Sequence, residues 1–331
     1  MEREIQEFMA EYAVPGLSIA IAKDDELATV RSYGVADRET GSPVTERSRF
    51  RIASISKPIT AVTVLRLAES GKLTLGDRVF GRDGVLGGDH RAGPRTPHLE
   101  EITIESLLAH TSGGWQNDEN DPMFQEQQLD HSALIDWTLA NRPLEHAPGE
   151  DYAYSNFGYC LLGRIIERAT EERYDDAVRR LVLEPCGVTD MAIARNLRGE
   201  RQVDEVVYYG QGEDDPYAPN VTRMDSHGGW IASAVDLVRF AIRVDGFPQK
   251  PDILTEDSVR RMSTGSTANP GYGLGWAVNE AGDWWHGGSL PGAATILKRT
   301  ASGVCYAALT NTRRAGLGAE VDKLLWRVAG C

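Results

Sequence analysis

No apolar run in this sequence approaches the ~18 residues that a membrane-spanning helix requires. The opening MEREIQEFMAEYAVPG also lacks the continuous apolar segment of a signal peptide. Ile5, Phe8, Met9 and Tyr12 fall instead at helical spacing among mostly acidic charges. The chain therefore reads as cytoplasmic, with no membrane partner. Cysteine is scarce: Cys160, Cys186, Cys305 and Cys331 share no C-x-x-C or metal-ligand spacing, and the seven histidines form no H-E-x-x-H. That pattern excludes a zinc framework and reads as reduced thiols, with no metal and no cofactor implied. Basic charge is also in deficit. Lys and Arg number 35 against 49 Asp and Glu, a formal net charge of −14, and nucleic acid phosphates would repel such a chain. No internal repeat or low-complexity linker divides the 331 residues, which suffice for one large core or two lobes.

Two β-rich segments flank a helix-rich middle. LSIAIAK (17–23) and LATVRSYGVAD (27–37) read as strands joined at Asp24-Asp25-Glu26. YGLGWAVN (272–279), DWWHGG (283–288), AATILKR (293–299) and VCYAALTN (304–311) read as three or four more in an antiparallel meander. The closing GLGAEVDKLLWRVAG places Val321, Leu324, Leu325 and Val328 on one helical face, suited to packing on the sheet beside the N-terminal helix. Between them, helical patterns cover 57–71, with a glycine stop, as well as 104–114, 157–170 and 232–244. Segments 81–98 and 115–131 read as loops. The expected architecture is α/β: an antiparallel sheet flanked by N- and C-terminal helices, plus a mostly helical lobe. Residues 1–58 and 265–331 would form the first lobe and 59–264 the second, with the active site in the cleft between them.

Three short motifs carry chemistry. Ser54-Ile55-Ser56-Lys57 opens the helical stretch 57–71. Residues i and i+3 share a helix face, so the Lys57 amine can sit beside the Ser54 hydroxyl, which needs a base before it becomes a nucleophile. The helix N-terminus favours negative charge developing there. Alone the motif is weak: with 18 serines and 6 lysines, chance supplies about 0.3 matches per chain of this length. A serine cap followed by a solvated lysine is its ordinary reading. Tyr154-Ser155-Asn156 precedes the helix 157–170. A phenol beside a cation can shuttle a proton, and an amide can grip both an acyl substituent and Lys57. The ordinary reading is a buried tyrosine with an asparagine cap. His286-Gly287-Gly288 lies on a strand and runs into Ser289. Glycines in a strand mark close backbone approach, as a substrate lying along the strand would make. The amides of Ser54 and Ser289 could then form an oxyanion hole.

The order S-x-x-K, Y-x-N, H-G-G at 54, 154 and 286 resembles the serine β-lactamase and penicillin-binding protein superfamily. Tyr154 makes it similar to the class C branch, which includes family VIII carboxylesterases and D,D-peptidases. VPGLSIAI, ESLLAHTSGG, YAYSNFGYCLLGRIIE, LEPCGVTDM, GGWIASAVDLVRFA and YGLGWAV followed by WWHGGSLPG extend the resemblance over nearly the whole chain. It implies that Ser54 attacks a substrate carbonyl to form an acyl-enzyme. Lys57 and Tyr154 would share its proton, with the identity of the resting base left open, and Asn156, His286, Gly287 and Gly288 would contact substrate. No G-x-S-x-G elbow offers a rival nucleophile.

His286 stands where the superfamily set has lysine. Neutral histidine anchors a substrate carboxylate poorly near pH 7, which disfavours an efficient β-lactamase and favours a carboxylesterase acting on small esters or amides. β-Lactamase or D,D-peptidase activity, acyl transfer from the same acyl-enzyme, and a non-catalytic scaffold are the alternatives. Trp115, Gln116 and Asn117 are expected at the rim. Trp230, Trp276, Trp284 and Trp285 either shape an acyl pocket or pack in the core. His227 reads as structural. Oligomeric state leaves no trace in the sequence.

Overall fold

The computed structural model describes residues 2–87, 90, 97–212 and 214–331. In chain order the elements begin with α1 (Glu2–Glu11), β1 (Gly16–Lys23), β2 (Glu26–Asp37), β3 (Ser42–Pro43), β4 (Phe50–Arg51) and α2 (Ser56–Glu69). The middle of the chain holds α3 (Ile104–Leu108), α4 (Pro122–Gln125), α5 (His131–Asn141), α6 (Asn156–Thr170), α7 (Tyr174–Val178), β5 (Ala192–Ile193), β6 (Trp230–Ala232), α8 (Ala234–Ala241) and α9 (Glu256–Met262). It closes with β7 (Ala277–Val278), β8 (Trp284–Leu290), β9 (Ala293–Arg299), β10 (Val304–Thr310) and α10 (Leu317–Ala329).

A seven-stranded sheet runs β3-β2-β1-β10-β9-β8-β7, and its neighbours pair antiparallel. The two ends of the chain meet in its middle, where β1 pairs with β10 from Leu17↔Thr310 to Lys23↔Val304. Alternation along β1 sends Leu17, Ile19 and Ile21 to one face, where they pack with Ile5 and Phe8 of α1 and with Val321, Leu324 and Leu325 of α10. The opposite face carries the small residues Ala20, Ala22 and Ala307, against which α8 packs. With both faces covered, every residue of β9 and β10 is buried.

One apolar core continues from that second face into the helices, joining Ala20, Leu297 and Leu309 to Ile59, Val62, Leu162 and Ile166. The core therefore has no break at 58/59 or 264/265. Helix α2 is buried nearly all round, as expected for a central helix rather than a surface one. It stops where the sequence indicates: Gly71 takes a left-handed φ of 71° just past the Ser70 cap. Among the described residues no helix is long and apolar enough to cross a membrane.

The structure departs from the sequence reading at several elements. Helix α3 ends at Leu108 because His110 adopts a left-handed φ of 59°. Of 272–279 only Ala277–Val278 is strand. Gly275 turns away with a φ of 84°, and a Cβ there would lie 2.6 Å from Ala61 of α2. The segment 115–131 is not all loop, since it contains α4. Residues 88–89 and 91–96 of the loop expected at 81–98 lie outside the described residues. A second small sheet, β4-β6-β5, is invisible to pattern reading because its strands are two or three residues long.

Candidate active site

The small sheet sets the position of Ser54. The chain leaves β4 at Ile52, whose N–H donates to Trp230 O on β6 at 3.0 Å, and makes one 3₁₀ turn over Ala53–Ile55 before α2. Ala53 is buried with a φ of 48°, a conformation unfavourable for any residue with a Cβ. The Ser56 hydroxyl secures the turn by donating to Ala53 O at 2.7 Å. Ser54 is left partly exposed at the positive end of α2. Gly288 on β8 explains its lack of a side chain here: a Cβ would lie 2.1 Å from Ile52 O and 2.2 Å from Thr295 Oγ1. At this glycine the close approach is made by the Ile52 carbonyl and the Thr295 hydroxyl. Gly287 is exposed, and a Cβ there would meet only Thr295 O, at an ordinary contact distance of 3.7 Å.

Lys57 is fully buried, and its Nζ has three partners: Ser54 Oγ at 3.0 Å, Asn156 Oδ1 at 2.7 Å and His227 O at 3.0 Å. Burial pulls its pKa down to about 7, with Asp121 opposing the shift. Tyr154 lies across Nζ, its ring centroid 4.7 Å away, with the Ser54 hydroxyl close enough to its own to favour the phenolate. Burial pushes that phenol well above its ordinary value, so it is neutral at rest. The residue between them, Ser155, is the N-cap of α6: its hydroxyl accepts from Gly158 N at 3.0 Å. Asn156, expected as a cap in the ordinary reading, is instead the first residue of the helix, with its amide turned to Lys57.

His286 does not present a ring nitrogen to the open site. Its Nε2 meets the Tyr272 hydroxyl at 3.1 Å and its Nδ1 meets Gly287 O at 2.8 Å. The Tyr272 hydroxyl also bonds His110 Nε2 at 3.2 Å, and His110 Nδ1 accepts the Ser155 N–H at 3.0 Å. The two main-chain groups fix every proton in this chain. Ser155 N–H forces His110 Nδ1 to be the acceptor, so His110 Nε2–H donates to Tyr272. Tyr272 then donates to His286 Nε2, and His286 Nδ1–H donates to Gly287 O. Each imidazole carries one proton and is neutral. Burial first, and the Lys57 charge second, hold both pKa values down, His286 to about 3. His286 is thus part of a buried link between the Tyr154 loop and β8.

This link has a measurable consequence. In the unfolded chain His286 takes up a proton near pH 6.5, whereas in the fold it does so only near 3. The unfolded state therefore binds more protons in that window, and the histidine withdraws stability as pH falls below about 6.5, by up to about 1.4 kcal/mol per pH unit. Asp121, Asp245 and Asp252 have raised pKa values and act in the opposite sense, so the wild-type slope alone is not diagnostic. His286→Asn, which can keep one donor and one acceptor, is expected to lose less stability than wild type on acidification in denaturant titrations. Parallel pH profiles for the two would contradict the assignment.

A cavity of about 400 Å³ opens at Ser54, lined by Asn117, Asn156, His227, Ser289 and Arg313 on its polar parts and by Phe124, Pro219, Met224, Leu290 and Pro291 on its apolar parts. Asn117 is thus at the site and Gln116 is exposed beside it. Trp115 is not a rim residue. It is buried, with its indole N–H on Arg142 O at 2.9 Å and its ring edge-on to Phe157. Trp230, Trp276 and Trp284 are core residues, and Trp285 packs under Lys298. His227 contributes its carbonyl to Lys57. Sequence reasoning missed Asp121, His110 and Tyr272. Positive φ at Ala53, His110 and Trp115, which a sequence cannot display, marks the surroundings as strained.

The antiparallel sheet backed by terminal helices, with a serine and lysine one helical turn apart and a tyrosine over both, defines a chain of the serine β-lactamase and penicillin-binding protein superfamily. The chain belongs to the Beta-lactamase family, whose family model matches residues 1–330. It is similar to esterase EstB of Burkholderia gladioli, 30% identical over 367 aligned residues that cover 93% of this chain and 89% of that protein. It is also similar to protein flp of Staphylococcus aureus (strain MRSA252), 27% identical over 280 residues, 80% of this chain and 53% of flp. The chain thus spans about half the length of flp. In fold it matches the octameric penicillin-binding protein homologue from Pyrococcus abyssi with a TM-score of 0.80, at 24% identity, over 98% of this chain and 76% of that one.

Proposed function

We propose that the protein is a serine hydrolase that forms an acyl-enzyme on Ser54 and cleaves small esters or amides. The observation that carries this reading is the valence of Lys57. A neutral amine has two protons and one lone pair. Asn156 Oδ1 and His227 O take the two protons, and the Ser54 hydroxyl remains for the lone pair. With a pKa near 7 the amine is substantially free at neutral pH. Lys57 is then the resting base, and Tyr154, a neutral phenol, relays the proton.

In this scheme Ser54 Oγ attacks the substrate carbonyl carbon while its proton passes to Lys57. In this scheme the backbone N–H groups of Ser54 and Ser289, two residues that line one cavity, hold the oxyanion. Tyr154 carries the proton to the leaving group, whose bond to the carbonyl carbon breaks, and water then releases the acid by the reverse path. Asn156 contacts the acyl substituent, and Asn117 and Phe124 border it. The likeness to an esterase and the mixed apolar lining favour esters. The neutral, internally bonded His286 supplies no cation for a substrate carboxylate, which disfavours β-lactam and peptide turnover. Initial rates on p-nitrophenyl butyrate and nitrocefin decide between these. Ester cleavage is expected to dominate, and efficient nitrocefin hydrolysis with little ester cleavage would reverse the assignment.

A further inference from the structure

The base can serve Ser54 only if its two protons are drawn elsewhere, and the group that ensures this lies one residue further back. Asparagine's amide oxygen and nitrogen have the same shape and opposite polarity, so something must decide which faces Lys57. Asn156 Nδ2 donates to Asp121 Oδ2 at 2.7 Å. A carboxylate only accepts, so Nδ2 must face Asp121 and Oδ1 must face Lys57, where it lies 2.7 Å from Nζ. Asp121 is itself rigid. Its side chain is fully buried, and its Oδ1 accepts Met123 N–H at 2.8 Å as the cap of α4. Arg223 ties down the same segment by donating to Met123 O at 2.8 Å and Leu129 O at 2.6 Å. The charged groups that face the carboxylate are Lys57, Arg223 and Asp118.

We propose that Asp121 is a positioning residue: by fixing the Asn156 amide it holds the Lys57 lone pair on Ser54. The inference rests on the Ser54–Lys57 reading above. Were the amide reversed, Nδ2–H would point at Lys57 and compete with Ser54 for the lone pair. Asp121 also places a negative charge behind Asn156, which opposes the loss of the Lys57 proton. Both effects can be read separately in kinetics, because a cap for α4 would produce neither of them.

The experiment compares the pH dependence of kcat/KM for ester hydrolysis in wild type, Asp121→Asn and the exchange Asp121→Asn with Asn156→Asp. Asparagine caps a helix as well as aspartate does, so the first variant is expected to keep the wild-type melting temperature within a few degrees. Its kcat/KM is expected to fall about tenfold to a hundredfold, through kcat rather than KM. Its acid limb should move to lower pH, because the charge that raised the Lys57 pKa is gone. In the exchange, the new amide donates to the new carboxylate, which accepts from Lys57. Activity is expected to recover relative to the single variant, and the acid limb to move to higher pH. An Asp121→Asn protein with wild-type kcat/KM and an unmoved acid limb would overturn the proposal. So would a loss that leaves the limb in place and is not recovered by the exchange. If Ser54→Ala is inactive in the same assays, such a result removes only the role of Asp121; if Ser54→Ala remains active, the serine reading itself fails.

Discussion

Ser54→Ala is expected to lower ester turnover by about 10⁵- to 10⁶-fold and to leave the fold intact. Loss of a nucleophile in a preorganised serine site typically costs that much, since the remaining groups retain only binding and oxyanion stabilisation. The fold should survive because Ser54 is partly exposed and the hydrogen bond its hydroxyl makes is to Lys57. Lys57 keeps its bonds to Asn156 and His227. The stability change should therefore be about that of one hydrogen bond, ~1 kcal/mol. Mass spectrometry after brief exposure to p-nitrophenyl butyrate is expected to show an acyl adduct on the peptide containing Ser54 in wild type and none in the variant. Turnover undiminished in Ser54→Ala would place the nucleophile elsewhere and end the reading.

What the sequence discloses about such a site depends on where the chemistry sits in the chain. Ser54 and Lys57 are legible because one helical turn brings them together, and their contact is a property of i and i+3. The strands β1, β9 and β10 are legible because alternation or a continuous apolar run with clear turns leaves few other choices. The elements that complete the site are not of that kind. Asp121 reaches Asn156 across 35 residues, and His110 reaches Tyr272 across 162. Pro122 marks Asp121 as a helix cap, but nothing local in NDENDP marks its bond to Asn156. His286 illustrates the converse. Its place in the H-G-G triplet marks a strand near the site, and the structure keeps that position. What its ring does follows from Tyr272 and Gly287, which fill both nitrogens. Trp115 follows HTSGG and reads as rim, yet the backbone there takes a left-handed φ of 61° and the indole is buried edge-on to Phe157.

Lys57→Met separates catalysis from stability at the same atom. The thioether side chain is close to lysine in shape and cannot take a proton, so kcat/KM at neutral pH is expected to fall about 10²- to 10⁴-fold. In wild type the rate should rise with pH through an apparent pKa near 7, because the free amine is the active form and burial depresses its pKa to about 7. That limb should vanish from the residual activity of the variant. A variant that retained it would transfer the resting-base role to another group, with Tyr154 and Asp121 the neighbours to test. The stability effect has the opposite sign. The unfolded lysine holds its proton up to about 10.5 and the folded one only to about 7, so the unfolded state binds more protons between these values. Wild type therefore loses stability as pH falls from about 10.5 to about 7, with a total on the order of 4–5 kcal/mol. Methionine removes that dependence but leaves Asn156 Oδ1 and His227 O without a donor, at a cost of about 1–3 kcal/mol each. The variant is thus expected to be less stable than wild type at alkaline pH and to draw level with it, or pass it, as pH falls to 7. A gap between the two that stays constant with pH would mean that Lys57 keeps an ordinary pKa in the fold. The base assignment would then lose its physical ground.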